Sequence, residues 1–249
     1  MSDNHIKRNP RYLLATDLDG TLVGSKPGQT VFKELFLRHK HLFHLAYVTG
    51  RNFRSAWGLI AEEKLLHPDI LITDVGTEIY LAPDYILHPE WDKKMSVNWN
   101  RQKISARIEK ITTLKPQNID SPYRLAYFTE EKDYQEAIHE LNQIIRGTNL
   151  GVEIVPSMGH IIDIIPAQGG KGPALRYMQH LLKIERDRTI VCGDSGNDLS
   201  MFAGGAKGIV VGNAKEELKE KLHGFPSVYF SALDHAFGIL EGLKEYGVI

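Results

Sequence analysis

Residues 12–16, Tyr-Leu-Leu-Ala-Thr, are apolar at nearly every position, and the run stops abruptly at Asp17-Leu18-Asp19-Gly20-Thr21. A strand without polar alternation must be covered on both faces, the condition of a parallel sheet packed between helices. The flanking sequence keeps that rhythm. A helical stretch over 30–39 leads to an apolar run at 42–49. Asn52 then caps a helix reaching about residue 65, and residues 69–73 form a third strand. After residue 168 the alternation resumes with a helix over 171–182, a strand at 189–192 and further strands near 208–211 and 228–230. The pattern predicts an α/β protein built on a doubly wound parallel sheet.

The middle of the chain has a different character. Pro83, Pro89, Tyr85, Trp91 and Trp99 cluster where the α/β rhythm breaks off. The pattern predicts a helix over 96–111, a strand over 124–129 and a helix over 131–146 ended by Gly147 and Gly151. Two strands, 152–156 and 160–165, follow, joined by the turn Ser157-Met158-Gly159. Helix, strand, helix, strand, strand makes a compact α+β unit. The expected organisation is a core of residues 1–83 and 168–249 with a smaller inserted domain at 84–167. Hinges are expected at 83–87 and 165–170, where Gly169 and Gly170 can absorb large dihedral changes.

Thirty basic residues against thirty-one acidic ones leave a formal net charge of -1. Such a balance provides no global field for nucleic acid or an anionic membrane, so an anionic ligand must be captured locally. No apolar run approaches the ~20 residues needed to cross a bilayer. Residues 1–11 are polar and lack the apolar centre of a secretory signal. Cys192 is the single cysteine, which rules out an intramolecular disulfide and fits a reducing, cytoplasmic setting. It lies inside Thr189-Ile190-Val191-Cys192 and reads as a buried strand residue rather than a nucleophile.

Ligands of open α/β sheets sit beyond the carboxyl ends of the strands. Three of the expected strands end in chemically loaded loops. The first ends in Asp17 and Asp19, and the second in Thr49-Gly50-Arg51. The strand at 189–192 ends in Gly193-Asp194-Ser195-Gly196-Asn197-Asp198, and Lys171 opens the helix before it. Carboxylates, a hydroxyl and a lysine at one sheet edge suit phosphoryl transfer to a carboxylate, because the charge of a phosphate ester must be neutralised before an anion can attack it. Asp17 would be the nucleophile. Asp19, on the same side of an extended segment, would protonate the leaving oxygen and later take a proton from water. Taken singly, each piece also reads as a turn, a helix cap or a surface lysine. Their occurrence in this order, each at a strand end or helix start, favours the chemical reading. His39, His41 and His44 straddle a helix end and a strand start, so they do not form a metal set.

These motifs resemble the haloacid dehalogenase-like superfamily of phosphatases. Asp17-Leu18-Asp19-Gly20-Thr21 matches its D-x-D-x-T motif, Thr49 its hydroxyl motif, Lys171 its lysine and the 193–198 run its acidic metal motif. The resemblance implies Mg2+ held by Asp17, the backbone carbonyl of Asp19, and Asp194. Asn197 and Asp198 would support the lysine and the metal waters. The insert corresponds to a C2-type cap. A narrower resemblance is to the sucrose-phosphate phosphatases, carried by residues 46–51, 74–80, 114–117, 163–166 and 208–214. It implies a sugar phosphate substrate, sucrose 6-phosphate in first place, and a sugar-phosphate synthase as pathway partner. It places Thr49, Gly50, Arg51, Asn197 and Asp198 at the phosphate, and Lys115, Gln117, His160 and Asp163 at the sugar. Tyr123 and Tyr127 offer stacking faces. Gly159-His160 departs from the cyanobacterial members of that family, in which a lysine tends to stand just before the aspartate-bearing strand. Other disaccharide phosphates such as mannosylfructose phosphate stay open, as do a phosphomutase and a non-enzymatic sugar-binding module. A monomer is expected.

Overall fold

The computed structural model describes residues 12–249 apart from 147, 149 and 204. Its first half builds one side of a sheet around β1 (Tyr12–Thr16). α1 (Lys26–His39) is capped by the Ser25 hydroxyl, which accepts from the Gly28 amide. Then come β2 (Phe43–Val48), α2 (Phe53–Glu62) behind its Asn52 cap, and β3 (Ile70–Thr73). β4 (Glu78–Leu81) and β5 (Ile86–Leu87) turn back antiparallel, and α3 (Pro89–Ser96) follows.

The chain next makes a smaller unit of α4 (Arg101–Ile108), β6 (Lys115–Pro116), β7 (Leu125–Phe128), α5 (Tyr134–Ile145), β8 (Val152–Ser157) and β9 (Ile161–Pro166). It returns through α6 (Lys171–Leu182), β10 (Thr189–Gly193), α7 (Leu199–Phe202), β11 (Lys207–Val210), α8 (Glu216–Leu222), β12 (Val228–Phe230) and α9 (His235–Glu245).

The main sheet has the order β12-β11-β10-β1-β2-β3-β4-β5, parallel from β12 to β3. β1 therefore lies where the winding reverses, between β2 and β10, and the loops after these three strands share one edge. The second sheet, β6-β7-β9-β8, is antiparallel throughout. Leu125, Tyr127, Ile162 and Ile164 pack one of its faces against Ile104, Ile108, Ala137 and Leu141 of α4 and α5. Strand alternation gives the other face to Lys115, Gln117, Ala126, Phe128, Ile161, Asp163, Val155 and Ser157.

Several expectations need correction. The boundary expected at residue 84 falls inside the main layers, since β5 pairs with β4, and Trp91 and Met95 of α3 are fully buried in the larger core. An aromatic cluster beside prolines reads as a domain crossing, yet here it is core packing. The helix expected over 96–111 is confined to α4, because residues 89–96 form the separate helix α3. The β4–β5 hairpin and helices α7, α8 and α9 had no counterpart in the expected pattern. α5 ends at Ile145, and the expected stop at Gly147 lies outside the described residues.

Candidate active site

Asp17 is the first residue past β1, and its amide still donates to the Cys192 carbonyl of β10 at 3.1 Å. The chain then turns at Gly20, whose φ is +78°. A Cβ there would lie 2.5 Å from Asp194 Oδ2, so a side chain is excluded on both conformational and steric grounds. Thr21 donates its hydroxyl to Asp194 Oδ1 at 2.9 Å. Asn213 Nδ2 donates to the Gly20 carbonyl at 2.7 Å, and the His235 ring lies 2.9 Å from the same oxygen. The loops after β1, β10 and β11 are thus tied into one ring of contacts.

Lys171, 1% exposed, donates to Asp17 Oδ1 at 2.7 Å and to Asp198 Oδ1 at 2.6 Å. Burial disfavours its charge, but the two carboxylates outweigh burial and raise its pKa. Asp198 Oδ2 accepts the amides of Asp194 and Ser195, at 3.0 and 3.1 Å, and closes a capping box with Ser195. Both Asp198 oxygens are thereby committed to the loop and the lysine. Burial drives the Asp17 pKa well up, with Asp198 and Asp194 adding to it against Lys171. Burial and the Asp198 charge push Asp194 up to about 6.

Oxygens of Asp17, Asp194 and Asp198 all lie within 4.8 Å of one another, the one such group among the described residues. Three carboxylates around one ammonium leave negative charge unbalanced in a buried place. A hard divalent cation such as Mg2+ fits that donor set. Since Asp198 is already occupied, Asp17 and Asp194 are the side chains left to hold it.

Thr49 is fully buried just past β2, its amide on Ile72 O and its Oγ1 accepting from the Arg51 amide. Arg51 grips Asp19 through Nε and Nη2, both at 2.7 Å. The Asp19 hydrogen bond is the main cause of a raised Arg51 pKa. A cavity of about 520 Å³ opens above these groups. Asp17, Asp19, Gly50, Arg51, Asp194 and Asn197 line it from the core, and Arg124, Ser157, Met158, Ile161 and Asp163 from the small sheet. Lys171 and Asp198 lie beneath its floor, bonded to Asp17 and to the Asp194 amide.

Of the residues expected at a sugar, only Asp163 reaches this wall, and it is buried against Arg124 at 2.7 Å. Lys115 and Gln117 occupy the same sheet face but not the cavity lining. The Gln117 side chain donates to the Tyr127 carbonyl, and His160 stacks near Phe128 with its Nδ1 2.7 Å from Met158 O. Tyr127 belongs to the opposite, helix-covered face, so the expected stacking role is withdrawn. Sequence reasoning passed over Arg124, Asn213 and Lys215, all lining residues. Arg124 alternates with Ala126 and Phe128, so strand phase alone puts it on the open face, a signal that was available.

The parallel core wound about β1, the antiparallel insert and the carboxylate–lysine cluster define a haloacid dehalogenase-like α/β fold. Within that class a family profile described as sucrose-6F-phosphate phosphohydrolase matches residues 10–247, and the chain belongs to this family. It is 32% identical to the sucrose-phosphatase from Synechocystis, whose X-ray structure holds sucrose and phosphate. That likeness covers 96% of this chain and 99% of the other, with a TM-score of 0.91. It is 31% identical to a probable sucrose-phosphatase 3a of Arabidopsis thaliana over 96% of its length, but spans only 60% of that relative. A mannosylfructose-phosphate phosphatase of Agrobacterium fabrum is 29% identical, with 96% of this chain and 98% of the relative covered.

Proposed function

We propose that this chain is a Mg2+-dependent phosphatase that hydrolyses a sugar phosphate through an aspartyl phosphate, with sucrose 6-phosphate the first candidate substrate. One observation carries the reading: Asp17 stands at the switch point of the sheet, held at Oδ1 by Lys171 and facing the cavity. Mg2+, held by Asp17, Asp194 and the Asp19 carbonyl, would supply charge neutralisation for the phosphate. Gly50 and Asn197, which line the cavity, would donate to the phosphate oxygens, and Thr49, buried beside them with its Oγ1 accepting from the Arg51 amide, would turn its hydroxyl to the same group.

Asp17 attacks phosphorus in line as the bond to the sugar oxygen breaks, and Asp19 gives that oxygen its proton. Asp19, now a base, takes a proton from water as the water attacks phosphorus, and phosphate leaves Asp17 free. In this structure both Asp19 oxygens are spent on Arg51. Arg51 must therefore swing off before Asp19 reaches the leaving oxygen, and an incoming phosphate is a natural destination for a guanidinium. The small sheet closes the cavity over the reacting groups and keeps bulk water from the acyl phosphate. A cavity of this volume is within the range that takes a small-molecule ligand.

The test is phosphate release over a panel of sugar phosphates, with Asp17→Asn as control. Wild type should prefer sucrose 6-phosphate. Asp17→Asn should lose at least about a thousandfold in kcat while keeping its circular dichroism spectrum. A near-wild-type rate for Asp17→Asn would remove Asp17 as nucleophile. Preference for a monosaccharide phosphate would end the sucrose assignment but not the phosphatase one. The mannosylfructose-phosphate relative makes that disaccharide the second compound to try.

A further inference from the structure

Residues 74–80 stood out in the sequence, yet the chemistry above uses none of them. Asp74, Val75 and Gly76 have φ of +53°, +59° and +91°, three left-handed residues in succession. Such a turn is costly for the aspartate and the β-branched valine, and persists only where its surroundings fix it. Its contacts show what fixes it. The Asp74 amide donates to Arg51 O at 2.7 Å and the Val75 amide to Thr49 O at 3.2 Å, so the turn braces both ends of the Thr49–Arg51 loop. Gly76 abuts the start of the lysine helix so closely that a Cβ would lie 2.2 Å from the Gly170 carbonyl carbon.

Arg124 of the small sheet enters this assembly from above. Its Nε donates to Asp163 Oδ1 on β9 at 2.7 Å, and its Nη1 donates to Gly50 O at 2.6 Å and to Asp74 Oδ1 at 2.9 Å. Asp74 is 1% exposed and its Oδ2 has no partner, so the guanidinium is the counter-charge of a carboxylate that cannot turn to water. Removing the arginine would leave that charge buried and uncompensated. On the far side of the cavity, Glu217 Oε1 accepts the Gly196 amide of the acidic loop at 2.8 Å and the Met158 amide of the β8–β9 turn at 3.3 Å. The two layers are thus joined on both sides of one cavity, and the arginine joint ends on the loop that presents Thr49.

We propose that Arg124 is a positioning residue through which seating of the small sheet sets the Thr49–Arg51 loop: with Asp163, Asp74 and the Gly50 carbonyl all engaged, the loop is braced, and when the sheet lifts the brace is lost. The inference rests on the phosphatase reading of the site. A substrate that fills the cavity from Asp163 to Asp17 favours the seated state by its differential contacts. A substrate too short to reach the small sheet does not.

The experiment compares wild type, Arg124→Ala, Arg124→Lys and Asp163→Asn on two compounds, the best sugar phosphate of the panel and p-nitrophenyl phosphate. Arg124→Ala should lose about a hundredfold in kcat/KM for the sugar phosphate and far less, about fivefold, for the aryl phosphate. Hydrogen exchange at the Asp74 and Val75 amides should quicken in the same variant. Arg124→Lys should recover only part of the loss, since an ammonium does not span three acceptors in a plane. Equal losses on both compounds would overturn the proposal and make Arg124 a phosphate ligand. Unchanged kinetics on both would show the joint to be idle and overturn it as well. If Arg124→Ala does not fold, Asp163→Asn decides, for it takes the charge but not the acceptor from the upper end: a selective loss on the sugar phosphate together with faster exchange at the Asp74 amide supports the coupling, and a loss without that change, or no loss, refutes it. A wild type that released phosphate from neither compound would instead defeat the phosphatase reading itself.

Discussion

Lys171 is one ammonium shared between Asp17 and Asp198 in a place nearly closed to water, and it cannot be traded for an apolar residue. Lys171→Met leaves two buried carboxylates facing each other and Asp194, at a cost of about 3–5 kcal/mol. At roughly 2–4 °C per kcal/mol for a chain of this size, the melting temperature should fall by about 10 °C, with turnover lost. A scan showing no thermal shift would contradict the charge arrangement described here. Asp194 makes a second prediction, through pH. Its folded pKa, up to about 6 against an ordinary 3.8, is a raised carboxylate. Its contribution to stability is complete below 3.8 and is lost as pH rises through 6. In chelator, acidification from pH 7 toward 5 should therefore relieve this group, while Mg2+ should add more to the melting temperature at pH 7.5 than at pH 5. Equal stabilisation by Mg2+ at both pH values would remove Asp194 from the metal site.

At the scale of elements, α3 carries the sharpest expectation. Trp91 and Met95 are fully buried in the larger core although the chain has already left the parallel rhythm. Trp91→Ala should cost about 3–5 kcal/mol by opening a cavity that neighbours cannot fill, measured as a lower denaturation midpoint at an unchanged slope. A loss below about 1 kcal/mol, the range of surface substitutions and small volume changes, would place α3 outside the core. The tyrosine of β7 teaches the same lesson from the other side. Tyr127 and Asp163 sit one register position apart across β7 and β9, so their side chains point to opposite faces. Strand phase, once the pairing is known, assigns one to the helices and the other to the cavity.

At the scale of the molecule, the joints at Arg124 and Glu217 describe a seated small sheet, and both are made by hydrogen bonds. Interfaces of that kind open readily. With Mg2+ and orthovanadate, a mimic of the transferring phosphoryl group, the radius of gyration should shrink or hold at the seated value, and without ligand it should be larger. Identical scattering in the two states would argue for a fixed lid. Among the described residues no helix is long and apolar enough to cross a membrane.

The nucleophile loop, the hydroxyl, the lysine and the acidic loop were legible in the chain because each is a local event, a polar cluster at the end of an apolar strand or the start of a helix. Their convergence followed from the rule that parallel strands point their carboxyl ends to one edge. The sequence by itself therefore determined the sheet class and the chemistry of Asp17, Asp19, Thr49, Lys171 and Asp194 as a set of expectations. Only the tertiary structure decided that the second Asp198 oxygen is spent on two loop amides, that Arg51 covers Asp19, and that Arg124 binds two aspartates 50 and 39 residues away. The Arg51–Asp19 pair joins the loops after two neighbouring strands, and the Arg124 pairs join the two layers. The Arg124 partners are set by how two sheets seat against each other and the Arg51 partner by how two strand-end loops meet, and no periodicity along the chain encodes either contact.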